Sequence, residues 1–158
     1  MSPFTGIRKI LVPLDFSESA RDLVACGMEL VRGRGATLRL LHVVTLPLAA
    51  VAPMGPGLGA VENPFTLVEI QRAAEERLQA IAADLKGLSV ETQVAVGAPY
   101  REIVRAAKEW GADVIVIGTH GRTGLAHVFL GSVAENVVRL APCPVLTVKR
   151  DGFALEPL

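Results

Sequence analysis

The chain has 158 residues, of which 51% are hydrophobic, 20% charged and only 4% aromatic, and its sixteen basic residues balance sixteen acidic ones. That is enough length for one domain with a real core, and a core of Val, Leu, Ile and Ala suits a layered α/β protein better than an aromatic-rich β-sandwich. With no net field and no Lys/Arg-rich run, nucleic acid is excluded as an expected partner.

The N-terminus "MSPFTGIRKILVPLDF" lacks the basic-then-apolar layout of a signal peptide. Residues 7–14, "IRKILVPL", form a short apolar run ending at a Pro/Asp turn signal and read as a buried strand. In "SESARDLVACGMELVRG", Ala20, Leu23, Val24, Gly27, Leu30 and Val31 fall at helical spacing. Ser17 is the expected N-cap and Gly33 or Gly35 the stop. Residues 36–44, "ATLRLLHVV", read as a second strand.

Residues 45–66 break the pattern with four prolines and three glycines, so a long loop insert is expected there, functional or disordered. Its apolar part, 46–61, carries too many prolines and glycines to cross a membrane as a helix. The expectation is a soluble, cytoplasmic protein. From residue 67 an amphipathic helix resumes, with Leu67, Ile70, Ala74, Leu78, Ile81 and Leu85 on its apolar stripe. "SVETQVAVG" alternates as a strand towards a sheet edge. "APYREIVRAAKEWGAD" is a helix with Pro99 in its first turn and Gly111 just past its end. "DVIVIG" is an uninterrupted apolar strand, "GSVAENVVRLA" a helix and "CPVLTVKR" a last strand. The β-α-β-α-β-α-β-α-β order implies a parallel sheet with right-handed crossovers and helices on both faces.

Between the fourth strand and fourth helix lies "GTHGRTGLAHVFLGS", with glycines at 118, 121, 124 and 131. Glycine costs conformational entropy, so the cluster implies either tight turns or close approach of a ligand. The following "SVAE" reads as a capping box of Ser132 and Glu135, and free amides at a helix N-terminus suit an anion. A P-loop would need a Lys before Ser132, and a dinucleotide fingerprint would need glycines after strand one, where "PLDFS" stands instead. Spacing alone leaves both readings of the glycines open.

Asp15 reads as a turn-forming carboxylate that caps the next helix, with no second acid placed by sequence to pair with it. His42, His120 and His127 are scattered, and Cys26 and Cys143 form no ligand pattern, so no metal site is expected and both thiols need no role beyond packing in a reducing compartment. Arg122 is the one cation near the loop, set either for phosphate or for solvent.

Three motifs in order, "VPLDFSESA", "LLHVV" and "GTHGRTGLAHVFLGSVAENVVRLAPCPVLTVKR", resemble the universal stress protein family over nearly the whole chain. The family's G-x2-G-x9-G-[ST] signature matches Gly118, Gly121, Gly131 and Ser132. The resemblance implies a single domain over residues 1–150 with a tail at 151–158. Its fold would be an open, five-stranded, Rossmann-like parallel sheet of order 3-2-1-4-5, similar to the adenine nucleotide α-hydrolases. It further implies ATP, with Mg²⁺ as an option. Gly118, Gly121, Gly131, Ser132, Val133 and Arg122 would lie along the phosphates and Asp15 on a ribose hydroxyl. Pro13, Leu14 and Ile117 would form apolar walls, with the Val43 main chain on the adenine edge. A homodimer through Pro144, Val145, Leu146, Thr147 and Val148 is implied as well, testable by a charge or proline at Leu146 or Val148. The expected role is a stress-response regulator. The alternatives are a slow ATPase or self-phosphorylating enzyme, and a non-nucleotide interaction protein that uses the insert to hold an unidentified protein partner.

Overall fold

The computed structural model describes residues 6–33, 35–45, 67–119 and 131–149. Nine elements follow one another: β1 (Lys9–Pro13), α1 (Ala20–Val31), β2 (Thr37–Val44), α2 (Leu67–Asp84), β3 (Ser89–Val96), α3 (Pro99–Trp110), β4 (Val114–Gly118), α4 (Ser132–Leu140) and β5 (Val145–Val148). All strand pairs are parallel, in the order β3-β2-β1-β4-β5. The expected fold class and strand order are therefore those observed.

The central strand shows why the apolar runs fold as they do. Ile10, Leu11 and Val12 are wholly buried, and consecutive side chains go to opposite faces. Ile10 and Val12 join Leu38, Leu40, Val114 and Val116 in a core that includes α1 and α2 residues such as Leu23 and Leu78. Leu11 joins Leu41, Ile115 and Ile117 in a second core with Ile103, Ala107 and Val137 from α3 and α4. A strand covered on both faces has no polar side to alternate with, and each such side chain contributes about 1.5–3 kcal/mol by leaving water.

The chain winds one way from β1 through β2 to β3, then crosses back to β4 and continues to β5. Right-handed crossovers then place α1 and α2 on one face and α3 and α4 on the other. At the edge of the sheet opposite the strands' carboxyl ends, Asp113 accepts the Arg8 and Lys9 amides at 2.8 and 2.9 Å. Arg39 lies 4.1 Å over Trp110 and binds Glu91, its register partner on β3, at 2.9 Å through Nε.

Three features of the helices depart from the sequence reading. The α1 helix starts at Ala20 with Ser19 as N-cap, and no side chain caps it. Ser17 is not the cap: its hydroxyl lies 2.8 Å from Ser19 Oγ and its carbonyl accepts the Ala20 amide at 3.1 Å in the turn before the helix. The N-cap of α4 is Gly131, again with no side-chain cap bond, so the Ser132–Glu135 box does not form; Ser132 is already helical and Glu135 donates its amide to the Gly131 carbonyl at 2.9 Å. Along α2, Ala74 and Leu78 are buried as expected, but Leu67 and Ile70 are 37% and 45% exposed. The α3 helix behaves as read: Pro99 begins it, and Gly111 ends it with φ 68°, a left-handed residue that glycine adopts without steric cost. No helix among the described residues is long and apolar enough to cross a membrane.

Candidate functional site

Winding that reverses between β1 and β4 forces the loops after these strands apart, and the crevice between them is where open α/β sheets hold ligands. Here it is a cleft of about 460 Å³ at the carboxyl ends of β1, β2 and β4. Pro13, Leu14 and Asp15 border it from β1, Val43 from β2, Ile117 and Gly118 from β4, and Gly131, Ser132 and Val133 from the start of α4. Nine of the eleven residues expected at a site thus meet around one cavity, although about a hundred positions separate Asp15 from Gly118. The other two, Gly121 and Arg122, lie outside the described residues, as do Gly124, His120, His127, the insert apart from Thr45, and the tail.

Each wall has a local cause. Pairing continues one residue past β1, where the Leu14 amide donates to the Leu41 carbonyl at 2.7 Å. After that the β1 chain turns away while β2 runs on to Val44. In a strand, alternate residues direct their main-chain groups to the same side. Leu41 faces β1, so Val43 faces the same way, beyond the end of β1; Val44 faces β3, where its carbonyl accepts the Gly97 amide at 3.0 Å. The N–H and C=O of Val43 therefore open onto the cleft.

The polar wall is built from the chain on either side of the glycine-rich loop. Thr119, 3% exposed, donates its amide to the Val148 carbonyl at 3.0 Å, and its own carbonyl accepts the Gly131 amide at 2.7 Å. Loop exit and loop return are thereby tied together beneath the cleft, and α4 begins at once with Ser132. The first-turn amides of a helix have no intrahelical acceptor, and no side chain caps them here. Together with the helix dipole they present a partial positive charge to the cleft.

The turn after β1 holds Asp15. Its Oδ1 accepts the Ser17 amide, a tight local turn rather than the helix cap read from sequence. Phe16 follows with φ 59°, unusual for a bulky residue and a conformation that costs about 1–3 kcal/mol unless its surroundings hold it. The His42 ring stacks on Phe16 at 4.2 Å, and its Nδ1 lies 2.7 Å from the Leu14 carbonyl. His42 is thus a partly buried histidine with its ring nitrogen engaged. Arg77 from α2 lies 4.1 Å over the same Phe16 ring. Sequence reasoning missed this stack, as it missed Thr119, Ile70 and Ile103 on the cleft wall. Thr119 alone had a signal, its place inside the glycine signature. Among the described residues Asp15 is the one acidic side chain lining the cleft, and no cluster of three metal-ligating side chains occurs.

A doubly wound parallel sheet with an apolar slot, a carboxylate and an open helix N-terminus at its switch point defines a protein of the open α/β class. A profile described as the universal stress protein family matches residues 6–149, and the chain belongs to that family. It is 33% identical to universal stress protein MJ0577 of Methanocaldococcus jannaschii, over 92% of this chain and 96% of that one. The solved structure of MJ0577 superposes with a TM-score of 0.72 at 31% identity, covering 92% and 97% of the two chains. Two ligand complexes of the family also align. One is a universal stress protein with cAMP (TM-score 0.59, 26% identity, 90% and 97% covered). The other is the Archaeoglobus fulgidus protein with dAMP (TM-score 0.55, 27% identity, 90% and 98% covered).

Proposed function

We propose that this universal stress protein binds ATP in the cleft and acts in the cytoplasm as a stress-response regulator. The observation that carries the reading is the convergence of three chemically distinct groups on one cavity. The Val43 main chain offers a donor and an acceptor, as the edge of a purine requires, between apolar walls at Leu14 and Ile117. Asp15 offers an acceptor for a sugar hydroxyl. The open first turn of α4, with Ser132 and Val133, offers amides to phosphate. Relatives with cAMP and dAMP support the choice of adenine, since the base and a phosphate are common to both ligands. Gly121 and Arg122 would complete the phosphate contacts.

The cleft favours binding over turnover. With Asp15 as the single lining carboxylate among the described residues, and with His42 Nδ1 engaged by the Leu14 carbonyl, neither an acid/base pair nor a multi-carboxylate Mg²⁺ site is built there. The test is native mass spectrometry of the purified protein followed by calorimetric titration with ATP. Asp15→Ala should weaken ATP binding by about tenfold, the order expected for a hydrogen bond to a charged group. A protein that carries no nucleotide and takes up none would overturn the proposal, and rapid ADP release would replace the regulator with an ATPase.

The same proposal includes a homodimer through β5. Pro144 and Val148 direct their carbonyls to β4, accepting the Ile115 and Thr119 amides at 3.0 Å each. Val145 and Thr147 therefore direct their main-chain groups outward, to a sheet edge that a second copy would pair.

A further inference from the structure

We propose that Arg77 and Phe16 are positioning residues for Asp15, and that α2 thereby sets the sugar end of the nucleotide cleft from outside it. The inference rests on the nucleotide reading above for its functional consequence, and on geometry alone for its mechanism.

Three observations carry it. Phe16, next to Asp15, sits in the left-handed region that a bulky side chain avoids. Its ring has a neighbour at contact distance from each of two other elements: His42 of β2 at 4.2 Å and the Arg77 guanidinium of α2 at 4.1 Å. One face of a phenyl ring has no room for both at that distance, so the two groups flank it. The residue on the near side, Asp15, directs Oδ1 to the Ser17 amide at 3.0 Å, so the carboxylate's direction depends on the backbone course through Phe16. Releasing the ring lets residue 16 return to an ordinary conformation, and that rotation redirects both Asp15 and Ser17. Arg77 is exposed on α2 and does not line the cleft. A purely structural role would leave ligand discrimination untouched.

The test uses the full chain and Arg77→Ala, a surface change on a helix that alanine favours. Its first readout needs no ligand: the Ser17 amide resonance, assigned by comparison with Asp15→Ala. In Arg77→Ala it should move towards its Asp15→Ala position, and Arg77→Lys, which keeps a cation over the ring, should restore most of the shift. The second readout is the preference for ATP over 2′,3′-dideoxy-ATP. It should fall by about threefold in Arg77→Ala, the scale of a cation–ring contact, and Arg77→Ala should cost nothing further in an Asp15→Ala background. An unmoved Ser17 resonance overturns the positioning role whether or not nucleotide binds. A moved resonance with no nucleotide binding in the wild type supports the positioning role and sinks the ligand assignment. A moved resonance with an unchanged ATP preference overturns the link to the sugar.

Discussion

At the scale of single residues, Cys143 shows how surroundings alone change chemistry. Burial raises the pKa of its thiol, and the negative charge of Asp113 raises it further; Cys26 is raised by burial alone. A raised thiol pKa means that the folded chain holds this proton to higher pH than the unfolded chain does. The resulting stability is complete below the ordinary thiol value and is lost as pH rises through the folded one. The rate of Cys143 alkylation, followed against pH, should have its midpoint above that of the same thiol in the urea-unfolded chain. Equal midpoints would mean that the folded site leaves the thiol unperturbed. The same inequality makes both cysteines poor nucleophiles near neutrality, in keeping with their reading as packing residues.

At the scale of elements, the contact between α1 and the sheet depends on one absent side chain. A Cβ built on Gly27 would lie 2.8 Å from Leu38 Cδ1 and 3.0 Å from Val12 Cγ2, both wholly buried residues. Gly27→Leu should therefore lower unfolding stability by about 1–3 kcal/mol in urea titration, against the gain in helix propensity. An unchanged midpoint would show that α1 can lift from the sheet freely. Strands such as β4 were legible because burial on both faces leaves an uninterrupted apolar run, and α3 because proline and glycine mark its two ends. Helix starts were less legible, because cap chemistry depends on competition that a sequence does not display. The Ser17 hydroxyl lies against Ser19 Oγ, and the Gly131 amide tied to Thr119 places the N-cap of α4 one residue before Ser132. The apolar stripe of α2 was visible, but not that Leu67 and Ile70 would stay exposed among the described residues. The cleft residues were legible through family motifs. The Arg77–Phe16–His42 stack was not, since its members come from three separate segments of the chain, Arg77 some sixty positions beyond Phe16, and no local period connects them.

At the scale of the whole molecule, a parallel sheet of five strands leaves β3 and β5 as edges, and the proposed dimer closes one of them. The register sharpens the choice of probe. Val148 is buried and Leu146 packs against the same core, so a charge at either would test folding as much as association. Thr147 is exposed and its N–H points away from β4, which makes proline tolerable there for the monomer. Thr147→Pro should give a monomer by light scattering with the urea midpoint of the folded monomer retained. A wild-type monomer at micromolar concentration would overturn the dimer.

The main chain of Val43 opens onto the cleft because β1 stops short of β2. Nothing in that arrangement depends on valine. A survey of amino-acid replacements at position 43 would report tolerance, while the atoms facing the ligand stayed the same in every variant. What descent has to preserve at this point is a difference in length between two neighbouring strands. Two relatives with no side chain in common along this wall can therefore present one identical surface.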